Sequence, residues 1–215
     1  MKKVDLILDY FNTLYPNPKC ALNFSSSYEL LVAVILSAQC TDKRVNIVTK
    51  DLFKLANTPK QMLKLGESKL KEIIYPCGFY NNKSKSIISM SKDLIEKFNG
   101  VVPDTLEELT SLKGVGRKTA NVVMSVAYNK HAISVDTHVH RVRKRLGLTK
   151  QNSTPLTCEM DLLKIIPKNT QSKFHHQTIW FGREICKAQN PKCEICELKE
   201  ICKYYKLKGT KYEKI

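Results

Sequence analysis

Apolar residues recur along most of this chain at three- and four-residue intervals, the spacing that lines one face of an α-helix. Leu6, Ile7, Tyr10, Phe11 and Leu14 make such a face in the first segment, and Pro16 and Pro18 end it. Ser25-Ser26-Ser27 then supplies hydroxyls for a helix N-cap. The run from Tyr28 to about Gln39 is apolar all round, so it reads as a helix buried on every side. Further helices are predicted at 42–55, 59–65, 68–76, 83–98, 105–112, 118–128, 137–146, 155–166 and 172–186. Strand-like alternation is scarce, and there are no repeats, low-complexity stretches or long linkers. The expectation is an all-α fold with short loops, in which composition marks no domain boundary.

Two glycines fall between a segment ending at Leu112 and one beginning at Lys118, within Leu112-Lys113-Gly114-Val115-Gly116-Arg117-Lys118. Glycine permits positive φ and lets another chain approach the backbone, so a tight turn between helices is predicted. N–H groups at the start of the second helix can hold a phosphate without reading sequence. Lys118 lies in that helix's first turn, where a cation opposes the helix dipole. An amine must lose its proton before it can attack, so the placement suits a nucleophile. Asp136 precedes Thr137-His138-Val139 and reads as a helix N-cap. Capping and catalysis are compatible, because a cap fixes where the carboxylate points.

Charge narrows the class of partner. Lys and Arg total 36 against 20 Asp and Glu in 215 residues, a net charge of +16, which fits a polyanion such as nucleic acid or an anionic membrane surface. Many of the lysines are scattered, as a general compositional bias would scatter them, whereas three arginines are concentrated in Arg141-Val142-Arg143-Lys144-Arg145. The longest apolar run, Leu30 to Ala38, is too short to span a bilayer. Asp5 and Asp9 interrupt any signal-peptide core after Met1-Lys2-Lys3. An intracellular protein with no membrane partner is expected, cytoplasmic or at the nucleoid if the source is bacterial or archaeal. Eight cysteines in a reducing compartment then argue for metal or cluster ligation over disulfides. Cys186, Cys193, Cys196 and Cys202 sit close enough in sequence to surround one centre. Zinc sites usually use two short-spaced pairs, and these uneven loops better suit an iron–sulfur cubane. Cys20, Cys40, Cys77 and Cys158 read as small core residues.

With these residues assembled, the chain resembles the endonuclease III family of DNA glycosylases and abasic-site (AP) lyases, in the helix-hairpin-helix superfamily, over nearly its whole length. Leu30 to Gln39 is similar to the family's buried helix and the turn after it. Gly78-Phe79-Tyr80-Asn81-Asn82-Lys83 resembles its intercalating loop, and Val101-Val102-Pro103 its approach to the hairpin. Val135-Asp136-Thr137-His138 and the four-cysteine spacing agree as well. The resemblance implies a two-lobed all-α fold. A six-helix domain would span 20–130, and 1–19 with 131–215 would form a second domain holding a [4Fe-4S] cluster, with DNA crossing the cleft between them. It also implies an enzyme of base excision repair that removes oxidised pyrimidines from double-stranded DNA and cuts at abasic sites; with one active cleft per chain, a monomer is the simplest expectation.

By the same resemblance, Gly114, Val115, Gly116 and Arg117 would grip the DNA backbone. Gln39 would fill the gap left by a flipped nucleotide, and Phe79 would wedge between bases of the opposite strand. Read without the family, Gln39 is a polar helix end and Phe79 a core aromatic. Lys118 would attack the sugar, with Asp136 assisting, and a Schiff base would lead to β-elimination. Lysine at that position also separates strand-cutting members from relatives that only remove the base. Lys113 stands where the family often has proline, Cys40 where a small uncharged residue is usual, and Ser84 where alanine is common. Two other classes fit parts of the sequence. A non-catalytic DNA-binding module would need neither Lys118 nor Asp136, and an iron–sulfur redox protein would not need the hairpin.

Overall fold

The computed structural model describes residues 2–207, and every regular element among them is helical. Contacts along the backbone divide the chain into two compact units, Cys20–Lys130 and a second that joins the residues up to Lys19 with those from His131 onward. The chain opens with α1 (Lys3–Leu14) of the second unit. The Cys20–Lys130 unit follows with α2 (Ser27–Ser37), α3 (Asp42–Leu55), α4 (Pro59–Leu65), α5 (Glu67–Ile74), α6 (Tyr80–Phe98), α7 (Leu106–Ser111) and α8 (Arg117–Ala127). The other unit is completed by α9 (Thr137–Leu146), α10 (Pro155–Ile165), α11 (Gln171–Glu184) and α12 (Lys203–Lys206).

The Cys20–Lys130 unit is built round α2, which packs against α3, α6 and α8 and is buried from Tyr28 through Leu36. Ser26 starts it, its hydroxyl accepting the Glu29 N–H at 3.1 Å, while the Glu29 carboxylate accepts the Ser25 N–H at 2.6 Å. Along the helix, the Tyr28 hydroxyl pairs with Ser91 on α6 at 2.7 Å. At the far end the buried Lys83 ammonium donates to the Leu36 carbonyl at 2.8 Å and to the Cys77 carbonyl at 2.9 Å. A lysine so enclosed is tolerated because the carbonyls it meets would otherwise be orphaned.

The second unit gathers α1, α9 and α11 round an aromatic centre. Phe11 lies 4.9 Å from Phe181 and 5.9 Å from Phe174, ring centre to ring centre. Gln177 on α11 fixes the end of α1 by donating to Asn12 Oδ1 and to the Tyr15 carbonyl, each at 3.0 Å.

Two local expectations change. The buried helix stops at Ser37, and Gln39 turns the chain with a left-handed backbone, φ 54°. Helix α6 begins at Tyr80, three residues early, because left-handed Phe79 (φ 49°) acts as its N-cap. After the last cysteine the chain forms α12 at Lys203–Lys206. The arginine run on α9 differs more deeply. Arg143 is fully buried, and its guanidinium donates to Thr149, Lys150, His140 and Ser153, holding the loop after α9.

Replacing Lys83 with methionine keeps the aliphatic stem but strands two buried carbonyls. The expected loss is about 1–3 kcal/mol, read as a lower urea midpoint at unchanged slope. The exposed Lys43→Met should stay within about 0.5 kcal/mol of the parent.

Candidate functional site

The glycine segment forms a hairpin between α7 and α8. Thr105 caps α7, its hydroxyl accepting the Glu108 N–H at 3.2 Å and donating to the Glu108 carboxylate at 2.6 Å. The turn closes when the Val115 N–H meets the Leu112 carbonyl at 3.1 Å, and the buried Val115 side chain anchors it in the core. Gly114 has φ +79°, and a Cβ there would lie 2.5 Å from Ser86 Cβ on α6, so both backbone conformation and close approach demand glycine. Gly116 is the N-cap of α8, where no side chain caps the helix. Nothing lies within 4 Å of where its Cβ would be. Arg117 and Lys118 follow on the first turn, both exposed. A glycine-capped helix start flanked by two cations is a setting for a phosphate.

Asp136 caps α9 as the spacing predicted, its Oδ1 accepting the Val139 N–H at 2.7 Å. The carboxylate is half-buried and held in one direction. Behind it, α9 comes so close to α11 that a Cβ on Gly182 would sit 3.0 Å from His138 Cβ. Arg141 Nη2 donates to the Gly182 carbonyl at 2.8 Å and to His138 Nδ1 at 3.1 Å. Burial lowers the His138 pKa, with the Asp136 charge opposing, and a neutral ring suits its role as acceptor. Lys118 belongs to the Cys20–Lys130 unit and Asp136 to the other.

Gln39 and Phe79 occupy exposed turns of the Cys20–Lys130 unit, and both have left-handed backbones. Phe79 is 62 % exposed, which rules out its alternative as a core aromatic. Lys83 joins the two turns from below, since its carbonyl partners Leu36 and Cys77 lie just before each of them. Tyr75 and Tyr80 pack ring against ring at 4.9 Å beside Phe79 in sequence.

Cys186, Cys193, Cys196 and Cys202 line one cavity with about 350 Å³ between its walls, partly open to solvent. No group of three or more His, Cys, Asp or Glu among the described residues is arranged to hold a single metal ion. Four thiols round a wider space fit a cubane, whose irons face four directions. Burial, together with the charges of the other three cysteines, pushes Cys196 up to about 11, and a cationic centre between the four sulfurs would offset that cost. Arg145 Nη1 sits 3.5 Å from Cys186 Sγ and also donates to the Lys187 carbonyl, while its Nη2 reaches Ala188 at 3.0 Å. Arg141 Nε holds the Cys186 carbonyl at 3.1 Å. These two arginines, four residues apart on one face of α9, secure the first cysteine loop to the helix that Asp136 caps. In the sequence they are simply part of a concentrated basic run; their i, i+4 spacing is the signal of a shared structural task.

Asp136→Ala should lower stability by about 1 kcal/mol in thermal unfolding through loss of the cap, whereas Asp136→Asn, which can still accept the N–H, should hold the parent value. Stripping the cluster leaves four thiols crowded in a cavity. Hydrogen exchange should then rise in α9, α11 and the cysteine loops while α2 and α6 remain protected.

The chain from residue 32 to 168 matches the family of HhH-GPD superfamily base excision DNA repair proteins. Residues 186–202, bounded by two of the four cysteines, match the iron-sulfur binding domain of endonuclease III. The cofactor is thus an iron–sulfur cluster, which the four thiolates suit in its [4Fe-4S] form. Endonuclease III of Bacillus subtilis (strain 168) is 46% identical over 203 residues, covering 94% of this chain and 93% of that protein. Among solved structures, a non-covalent endonuclease III–DNA complex is similar with a TM-score of 0.92 at 44% identity, over 97% of this chain and 99% of that one. A trapped endonuclease III–DNA covalent intermediate gives 0.91 at 45% identity, with the same coverage. Likeness of this extent, over sequence and fold together, places the chain in the endonuclease III family of helix-hairpin-helix base excision DNA repair proteins.

Proposed function

We propose that this protein removes oxidised pyrimidines from double-stranded DNA as a monomer and then cuts the strand at the abasic site, with Lys118 as nucleophile and Asp136 as the assisting carboxylate. As a member of its family it is a DNA glycosylase and AP lyase of base excision repair. The site of action would be intracellular DNA, at the nucleoid of a bacterial cell. No described helix is long and apolar enough to cross a membrane.

The observation that carries the residue assignment is the exposed Lys118 on the first turn of α8, directly after a hairpin whose glycine N-cap leaves room for a phosphate. A backbone phosphate on Gly114, Val115, Gly116 and Arg117 brings the neighbouring sugar toward the amine. The damaged nucleotide must first leave the stack, at a cost of a few kcal/mol. In this reading Gln39 fills the space it vacates, and Phe79, already exposed and turned outward, wedges between bases opposite. The Lys118 nitrogen attacks C1′ and the bond to the base breaks. Asp136 helps remove the amine proton and stabilises positive charge developing on the sugar. Opening of the sugar ring leaves a Schiff base, whose positive nitrogen acidifies C2′; loss of that proton expels the 3′ phosphate. When bound, the cluster supplies a four-point crosslink of the C-terminal loops rather than chemistry at the sugar. Support for a covalent route comes from the relative caught as a trapped covalent intermediate with DNA.

Borohydride reduction on a duplex containing thymine glycol should yield a covalent adduct with the parent enzyme and none with Lys118→Ala. An undiminished adduct from that variant would exclude Lys118. Asp136→Asn, with its cap retained, should cut about 100-fold more slowly with little loss of DNA affinity. Equal rates would reduce Asp136 to a helix cap.

A further inference from the structure

Positive charge in the second unit gathers where α9 ends. Neither α9 nor α12 contains an Asp or Glu. His140, Arg141, Lys144 and Arg145 share one face of α9 at i, i+4 spacing and line a cavity of about 250 Å³, which Lys203 and Tyr204 of α12 close from another side. Gln151, in the loop after α9, adds an amide to the wall. The space far exceeds the roughly 30 Å³ that one water fills in the liquid. Its arginine walls are set in place. Arg141 donates to the Cys186 carbonyl at 3.1 Å and to the Gly182 carbonyl at 2.8 Å, while Arg145 donates to the Ala188 carbonyl at 3.0 Å and lies 4.5 Å over the Tyr204 ring.

Carbonyls satisfy guanidinium N–H groups but carry no net charge, so both arginines still present their charge to the cavity. Lys144 and Lys203 pair with no carboxylate among the described residues, unlike Lys54, Lys71 and Lys97 of the other unit, which meet Asp51, Glu67 and Asp93. A further ammonium stands close by. A Cβ on Gly147, the C-cap of α9, would lie 3.4 Å from Lys3 Nζ and 3.3 Å from Lys203 Cβ. The C-terminal dipole of α9 offsets only about half an elementary charge. Arg141, Lys144 and Arg145 are also half-buried, so water answers their charge incompletely.

We propose that this recess binds a small polyphosphate, either inorganic or as the phosphate chain of a nucleotide. Lys144 and Lys203 come to it from different helices and donate to terminal oxygens, which suits an anion charged at both ends better than a single phosphate. The two fixed guanidiniums supply the field that draws it in. A recess walled by two helices takes a compact anion rather than the continuous backbone of a duplex. Ala188, in the loop after Cys186, also borders the space. One bound anion therefore joins α9, α12 and the first cysteine loop. The site stands apart from the roles of Lys118 and Asp136 and does not rest on them.

The test uses the full chain with its cluster, titrated by calorimetry at fixed ionic strength. Pyrophosphate should bind about tenfold more tightly than inorganic phosphate, and its binding should slow hydrogen exchange in α9 and α12. Adenosine diphosphate is the second arm. Affinity no higher than that of pyrophosphate identifies an inorganic chain as the ligand, and clearly tighter binding identifies a nucleotide. Lys144→Met and Lys203→Met should each weaken pyrophosphate by about tenfold, the size expected for a charge-assisted hydrogen bond, and leave duplex binding near that of the parent. The exposed Lys168→Met, in the same unit, should change neither. Should Lys203→Met, next to Cys202, alter the cluster's visible absorbance, Lys144→Met carries the test. Pyrophosphate held no better than phosphate, or held equally by all three variants, would overturn the site. Variants that lose duplex affinity and keep pyrophosphate would overturn it as well, by placing the recess on the path of DNA.

Discussion

A helix sealed inside a protein cannot leave its end groups to water, and α2 meets that demand at both ends. Ser26 and Glu29 satisfy the amides at its start, and Lys83 reaches in from α6 to satisfy the carbonyl of Leu36 at its finish. The second requirement shapes the outer surface of the unit. Because one ammonium serves both Leu36 and Cys77, the turn after α2 and the turn before α6 must lie side by side. Those turns present Gln39 and Phe79. A solution to burial thus brings together the two segments that reach outward.

Close packing sets the other features in the same way. Gly114 lets the hairpin settle on Ser86 of α6, and Gly182 lets α9 settle on α11. The hairpin thereby gains a fixed platform, from which α8 starts with Lys118 on its first turn. Helix α9 gains one as well, and its cap is the Asp136 carboxylate. Helix ends held in packed layers fix the side chains they carry more exactly than loops alone.

The cysteine cavity and α9 form one mechanical assembly. Arg141 and Arg145 extend from a single face of the helix to carbonyls of the loop after Cys186, and Arg145 stacks at 4.5 Å over the Tyr204 ring on α12. Cross-linking four cysteines therefore stiffens the helix that Asp136 caps. Positive charge has divided roles in this protein. Arg143 is spent wholly on internal partners, whereas Arg117 and Lys118 face outward.

Helix positions, caps and the hairpin turn were legible in the sequence because each depends on residues within a few positions. Periodicity located α2 and α6 to within a few residues, the Ser25-Ser26-Ser27 cluster and Asp136 marked caps, and the glycine pair marked the turn. The cysteine spacing identified a cluster for the same reason, since its ligands are near neighbours in the chain. Family resemblance suggested roles for Gln39 and Phe79 that spacing alone did not, and these remain part of the proposal. What only the tertiary structure decided are contacts between distant residues. Lys83 meets a carbonyl 47 positions away, and Arg141 one 45 positions away. A lysine or arginine in a sequence looks the same whether it faces water or an orphaned carbonyl. Packing chooses between the two, because burial leaves the carbonyl no other partner.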